Sequence, residues 1–422
     1  MNFLKAFSID FLLYGTSKAT VAVTWIATIS TLTTRLSPEN YAIFWQMFTL
    51  ITGAATIATT GLVTAFRRYY HQFDSADQHA VYRRVAVDAT RFSLLLSTGL
   101  FVPAFIASAW IGEWGMSPQR LLVGPVAFIL ASGFLAYCGH LMAVRKTVAY
   151  LSANAAQGLA FLLLCVLAPL SKSAGVEIMV IFLGASYLVT LPGYIAGLRS
   201  SLAPAEGSDV RKWRRDFLAF GVPLALMNVA LLLGNLGTQL LLAKLANAQE
   251  AGIYAAFSAP IERLVGFSAS IAAMAFLPLI ASQWDAKRYR EVLRFLFFIV
   301  AAVILIAIAI SAVLIVFAGP ITTRIIDPRY LSGVDLIPLL SAATTASTTA
   351  AILADILILQ KKTPQLAALF LSATLIGLLV SGALIPVNGA TGAVIGRLVF
   401  GLLACVFIGV AIRRNLSKPE PG

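Results

Sequence analysis

Five charged residues sit inside long apolar stretches: Lys18, Glu262, Arg263, Asp355 and Arg397. A charge inside a lipid-spanning helix costs about 2.5–3.5 kcal/mol on insertion scales, so each asks for a physical reason. Lys18 is eight residues past Asp10, Arg263 eleven past Gly252, and Arg397 eight past Gly389. At about 1.5 Å per residue these are depths of roughly 12, 16 and 12 Å, so Arg263 lies nearest the bilayer centre. Glu262 is the one comparably deep acid. Three cations against one anion suit an anionic ligand such as a diphosphate or an acidic sugar. Each residue also has a structural reading. Lys18 can snorkel to the interface. Glu262 and Arg263 point about 100° apart on a helix, so each needs its own partner, and Arg263 can be half of a buried pair. Arg397 follows Gly392-Ala-Val-Ile-Gly396, whose small residues permit close helix packing and a local ion pair. Pro260 removes the amide that the Ala256 carbonyl would accept, which predicts a bend beside the charges. Asp355, about five residues from a helix end, reads as an interfacial acid or as a proton or sodium ligand. His140 reads as an interfacial or packing histidine, or as a titrating one. Asp88 and Arg91 have the spacing of an i,i+3 surface pair.

The elements that carry these residues are long apolar blocks. The chain has 422 residues, 59% hydrophobic and 12% charged. Soluble domains carry about 25% charged residues. The blocks exceed the roughly 20 residues that span a bilayer, and no ten-residue alternation suggests a membrane barrel. The chain is therefore expected to be an all-α polytopic membrane protein. Cys138, Cys165 and Cys405 lie inside apolar blocks without metal-ligand or disulfide-framework spacing, as packing residues do. The first block is too long for a signal-peptide core and lacks a cleavage site, so it is read as a permanent helix.

The first hairpin shows the pattern. Phe11 to Thr34 and Tyr41 to Phe66 flank the turn Arg35-Leu-Ser-Pro-Glu-Asn40, and Arg67-Arg-Tyr-Tyr70 closes it. Asp10-Phe-Leu-Leu-Tyr-Gly15 recurs as Asp216-Phe-Leu-Ala-Phe-Gly221, and Pro38-Glu-Asn-Tyr-Ala-Ile43 recurs loosely as Gln249-Glu-Ala-Gly-Ile-Tyr254. One hairpin type opens each half of the chain, which predicts pseudo-symmetric halves. Twelve transmembrane helices are expected. Six lie in residues 1–198 and six in residues 217–412, with a polar linker over 199–216 and a polar tail over 413–422. The net charge of +13 lies in short loops, which is a topology signal and not a nucleic-acid footprint. Of the 31 basic residues, only Arg35, Arg120, Lys172, Lys244, Arg324 and Arg329 fall opposite the termini, and Lys18, Arg263 and Arg397 fall within helices. The bias predicts cytoplasmic termini.

The run from Asp10 to Tyr70 resembles the opening of Wzx-type oligosaccharide flippases, in the polysaccharide-biosynthesis branch of the MOP superfamily. The residues that carry the likeness are Phe11-Leu-Leu-Tyr-Gly15, Thr34-Arg-Leu-Ser-Pro-Glu39, Tyr41 and Arg67-Arg-Tyr-Tyr70. Ala42 departs from it, since the family usually has Gly after the aromatic. Later segments match in hydropathy more than in residues. The resemblance implies two six-helix lobes around a central cavity, alternating access, and transfer of an undecaprenyl-diphosphate-linked oligosaccharide across the inner membrane. The pathway could make O-antigen in lipopolysaccharide, capsule or exopolysaccharide. The partners it implies are membrane lipids, the substrate, and a polymerase or other polysaccharide-assembly proteins.

On this reading Lys18, Arg263 and Arg397 are the substrate-binding candidates, and Glu262 and Asp355 the coupling or ion-pair candidates. No cofactor is expected. The sequence has no Walker A loop, metal-ligand cluster or G-x-S-x-G. Two alternatives stand beside the flippase. A MATE-type cation-coupled exporter shares the architecture, but its site would favour acids. A membrane-embedded polymerase or ligase would need an ordered outer-face loop, and the longest candidate is Gly319 to Gly333 with Arg324, Asp327 and Arg329.

Overall fold

A computed structural model describes residues 3–75, 79–111, 114, 118–144, 146–167, 175–190, 192, 208–285, 288–360 and 362–416. All regular structure among them is helical. In order the helices are α1 (Phe3–Arg35), α2 (Pro38–Ser75), α3 (His79–Ile111), α4 (Pro118–Ala143), α5 (Thr147–Leu167) and α6 (Gly175–Tyr187). They continue with α7 (Ser208–Leu245), α8 (Ala248–Asp285), α9 (Tyr289–Val316), the short α10 (Ala318–Ile325), α11 (Ile337–Leu359) and α12 (Thr363–Leu416). Three-residue-per-turn helices occupy Leu188–Thr190 and Pro328–Leu336. Eight described helical segments are long and apolar enough to cross a membrane, and the chain is a multi-pass helical membrane protein.

Several elements outrun their apolar cores. The expected turn over Lys244 to Glu250 shrinks to two residues, and the polar stretch after Arg67 stays helical to Ser75. Residues 199–207 of the expected linker lie outside the described residues, whereas 208–216 form the first turns of α7. There Trp213 packs against the cluster of Phe66, Tyr82 and Phe217, so apolar contact holds a basic segment in helical form. Gly319 to Gly333, expected as a loop, is largely α10 and the Pro328–Leu336 turn-helix.

The repeated hairpin is visible at its turns. α1 and α2 are separated by two residues, as are α7 and α8. Ser37 accepts from the Asn40 amide at 3.4 Å, and Asn247 accepts from the Glu250 amide at 2.7 Å. Both are N-caps, each with a glutamate in the first turn, where a negative charge suits the helix dipole. α12 combines the two last expected segments. Its break is at Gly389, with φ 52° and ψ −132°, where the sequence reads Pro386-Val-Asn-Gly. A side chain rarely adopts that φ, so glycine is required.

The chain divides into two compact units, Met1–Ala42 with Leu233–Gly422, and Ile43–Leu232. In the first, α11 packs against α8, α9 and α12, and α1 packs against α8. Its buried aromatics include Tyr254, Phe257, Tyr330 and Phe370. In the second, α4 packs against α3, α5 and α6. Phe101 stacks on Phe128 with centroids 4.4 Å apart, and Arg120 of α4 pairs with Glu177 of α6 at 2.6 Å. Gly61 of α2 meets Gly221 of α7 backbone to backbone, so the glycine that closes the repeated hexapeptide serves close approach. α9 exposes Phe297, Phe298, Leu305 and Val316, as a lipid-facing helix must.

Candidate functional site

Glu262 and Arg263 lie on α8, and Arg397 reaches the same helix. This helix starts at the Asn247 cap and runs unbroken through Pro260, which sits one turn below the buried Ala256. Glu262 and Arg263 diverge from it as their 100° spacing requires. The Glu262 carboxylate Oε1 accepts from Nη1 of Arg397 on the second arm of α12. The same Nη1 donates to the Tyr254 hydroxyl at 3.3 Å. Tyr254 is two helical turns before Glu262 and fully inside the unit, at 2% exposure. Arg263 turns toward α1 and lies over the Trp25 ring, 5.0 Å from its centroid, a cation–π contact.

Arg397 reaches Glu262 because the arms of α12 pack tightly. A Cβ on Gly396 would stand 2.5 Å from the Gly377 carbonyl oxygen, and one on Gly392 would stand 2.5 Å from the Leu384 carbonyl carbon. The small residues pack the two arms, and Arg397 has an acidic partner in Glu262. The pair is asymmetric. The Arg397 side chain is 11% exposed, while that of Glu262 is 33% exposed.

The other candidates are placed separately. Lys18 is in α1, with its side chain outside the described residues. Asp355 is partly buried in α11, near its C-terminal end. His140 of α4 stacks on Tyr82, whose hydroxyl is 3.5 Å from His140 Nδ1. Asp88 pairs with Arg84 at 3.4 Å and not with Arg91 as expected, because the i,i+4 neighbour one turn earlier offers equal reach. Among the described residues, no three His, Cys, Asp or Glu side chains gather as a metal site.

The Gly319 to Gly333 segment, considered above as a catalytic loop, holds a helix end. Asp327 Oδ1 accepts from the Arg329 amide at 3.0 Å and from Arg329 Nε at 2.7 Å. The Arg329 side chain beside it holds the Asp327 carboxyl below the usual carboxylate range. Arg329 Nη2 then donates to the Thr33 and Thr34 carbonyls, 3.1 Å each, at the C-terminal end of α1. Tyr330 donates its hydroxyl to the Leu36 carbonyl at 3.0 Å. These side chains cap a helix end. Nothing in their order singles them out in the sequence, because their partners lie nearly 300 residues away. Trp25 and Tyr254, which meet Arg263 and Arg397, are likewise not singled out by the sequence around them.

The fold is that of MOP-superfamily transporters. An inward-facing multidrug-resistance MATE transporter of that superfamily superposes with a TM-score of 0.73 at 13% identity, over 95% of this chain and 96% of the other. A MOP-superfamily transporter from Pyrococcus furiosus, described as having reversed binding-pocket polarity, gives 0.72 at 15% identity, over 98% and 96%. The lipid II flippase MurJ, in an inward closed conformation, gives 0.68 at 12%, over 97% of this chain and 87% of MurJ. No curated protein matches by sequence. Residues 10–284 match the sequence pattern of the family described as polysaccharide biosynthesis protein, and the chain belongs to that family.

Proposed function

We propose that the protein is a flippase that carries an undecaprenyl-diphosphate-linked oligosaccharide across the inner membrane for cell-surface polysaccharide assembly. It works by alternating access between six-helix lobes, residues 1–198 and 217–412. The observation that carries this reading is the set of deep cations, Arg263 and Arg397, in a chain of the polysaccharide biosynthesis family. A membrane-embedded guanidinium attracts a phosphate strongly, because little water screens it. Lys18, at similar depth in α1, is a third candidate contact. Twelve crossings with both termini in the cytoplasm follow from the basic-residue bias. The transported molecule passes on to polymerase and other assembly proteins.

A MATE-type exporter of cationic compounds is the second reading, favoured by the MATE likeness. The sign of the site opposes it, since Arg263 and Arg397 outweigh Glu262 in formal charge.

Reconstitution in liposomes decides between them. Wild-type protein should expose labelled undecaprenyl-diphosphate oligosaccharide to an external glycosidase and should not accumulate lipophilic cations. Arg263→Ala should abolish that transfer while the protein still reaches the membrane, and Arg263→Lys should retain part of it, because the charge survives without the fork. If Arg263 is only structural, protein level should fall together with activity. Full transfer by well-folded Arg263→Ala would move the binding role to Lys18 and Arg397.

A further inference from the structure

Arg397 presents an unusual balance of donors. A guanidinium has five N–H groups arranged as a fork. Here Nη1 serves both the Glu262 carboxylate and the Tyr254 hydroxyl. Among the described residues, Nε and Nη2 donate to nothing, although the side chain is only 11% exposed. Glu262 binds through one oxygen and is itself one-third exposed. The pair is therefore one-pronged. The cation is the enclosed partner and the anion the accessible one.

A buried guanidinium without a counter-anion is strongly disfavoured, so some anion must stay beside Arg397 whenever substrate is absent. Resting on the flippase reading, we infer that Glu262 is an exchangeable internal anion that stands in for a substrate phosphate. An incoming diphosphate takes the Arg397 fork through two oxygens, and Glu262 withdraws to its open side. Return of Glu262 then displaces the phosphate and promotes release. No covalent bond changes in this exchange. Tyr254 stays on Arg397 in both states and keeps the guanidinium in place. The neighbouring Arg263 rests on an aromatic face and not on this carboxylate, so the exchange is confined to Arg397.

Glu262 thus sets affinity against turnover. A site that is mostly occupied by its own anion binds ligand more weakly by the fraction of time it stands open. The test uses the purified full chain in nanodiscs, with farnesyl diphosphate as the binding probe and farnesol as the control. Glu262→Gln should bind farnesyl diphosphate about tenfold more tightly than wild type. It should also transfer labelled lipid-linked oligosaccharide more slowly, and farnesol should bind neither protein differently. Glu262→Gln/Arg397→Gln should lose the gain. Should Glu262→Gln fail to fold, Glu262→Asp makes the same comparison through a carboxylate one methylene shorter, with a smaller gain expected. Unchanged affinity in a folded Glu262 variant, with wild type binding the probe, overturns the exchange and leaves the flippase reading intact. Failure of both wild type and variant to bind the diphosphate overturns the diphosphate reading itself.

Discussion

Gly389 and Glu250 show how much one backbone position can hold. The Gly389 φ of 52° is hostile to any side chain, and a Cβ there would press on the Glu250 carboxylate. That carboxylate accepts from the Ala390 amide at 2.8 Å. It therefore caps the second arm of α12 from 140 positions earlier in the chain, and this arm carries Arg397. Gly389→Ala should lose about 1–3 kcal/mol through backbone strain, with the Glu250 contact adding to it. Glu250→Ala should lose about 1 kcal/mol as a lost cap. Unfolding in detergent measures both. Combining them should relieve the Glu250 contact but not the φ strain, so Gly389→Ala should still destabilise a Glu250→Ala background.

At the scale of elements, the Pro328–Leu336 segment fastens α1. Arg329 satisfies two carbonyls at the α1 C-terminus, Tyr330 satisfies a third, and the Tyr330 ring meets the Tyr41 ring edge-on at 5.7 Å. The start of α8 lies against the start of α2, where a Cβ on Gly252 would stand 2.6 Å from the Pro38 carbonyl carbon. Arg329→Ala should lower stability by about 1 kcal/mol, the scale of a cation at a helix C-terminus. The acid limb of the stability curve offers a second measurement. The Asp327 pKa is lowered in the folded protein, chiefly by the hydrogen bond from the Arg329 side chain. Its contribution is therefore present above the unfolded carboxylate value of about 3.9 and is lost as pH falls through the lower folded value. Asp327→Asn should lose stability at neutral pH and show a shallower fall below about pH 4.

For the whole molecule, the prediction is topological. Reporter fusions at Arg211, Arg290 and Lys418 should report a cytoplasmic location, and fusions at Lys172 and Arg329 should report the opposite side. A cytoplasmic signal at Lys172 would break the twelve-crossing layout. The Arg329 fusion also locates the α1 clamp, because Arg329 touches the C-terminal end of α1. An extracytoplasmic signal there places the hairpin turn, the clamp and the Asn247 cap at one membrane face.

The sequence by itself determined that the chain is helical and membrane-embedded, and where the α1–α2 and α7–α8 hairpins turn. Those features follow from local chemistry: apolar run length, a Ser-Pro or Asn signal at a helix start, and a Pro-Val-Asn-Gly break. The splay of Glu262 and Arg263 was equally legible, because helix pitch fixes it. Which partner each residue meets was decided only by tertiary structure. For Arg397 the sequence offered close packing with a local ion pair or a substrate contact, and its acidic partner depends on how closely the α12 arms approach at Gly392 and Gly396. The Trp25 face under Arg263, the Tyr254 hydroxyl on Arg397, and the α1 carbonyls on Arg329 are contacts between residues more than 140 positions apart. Hydropathy and helical periodicity describe one segment at a time, so they cannot report a contact that exists only when distant segments pack.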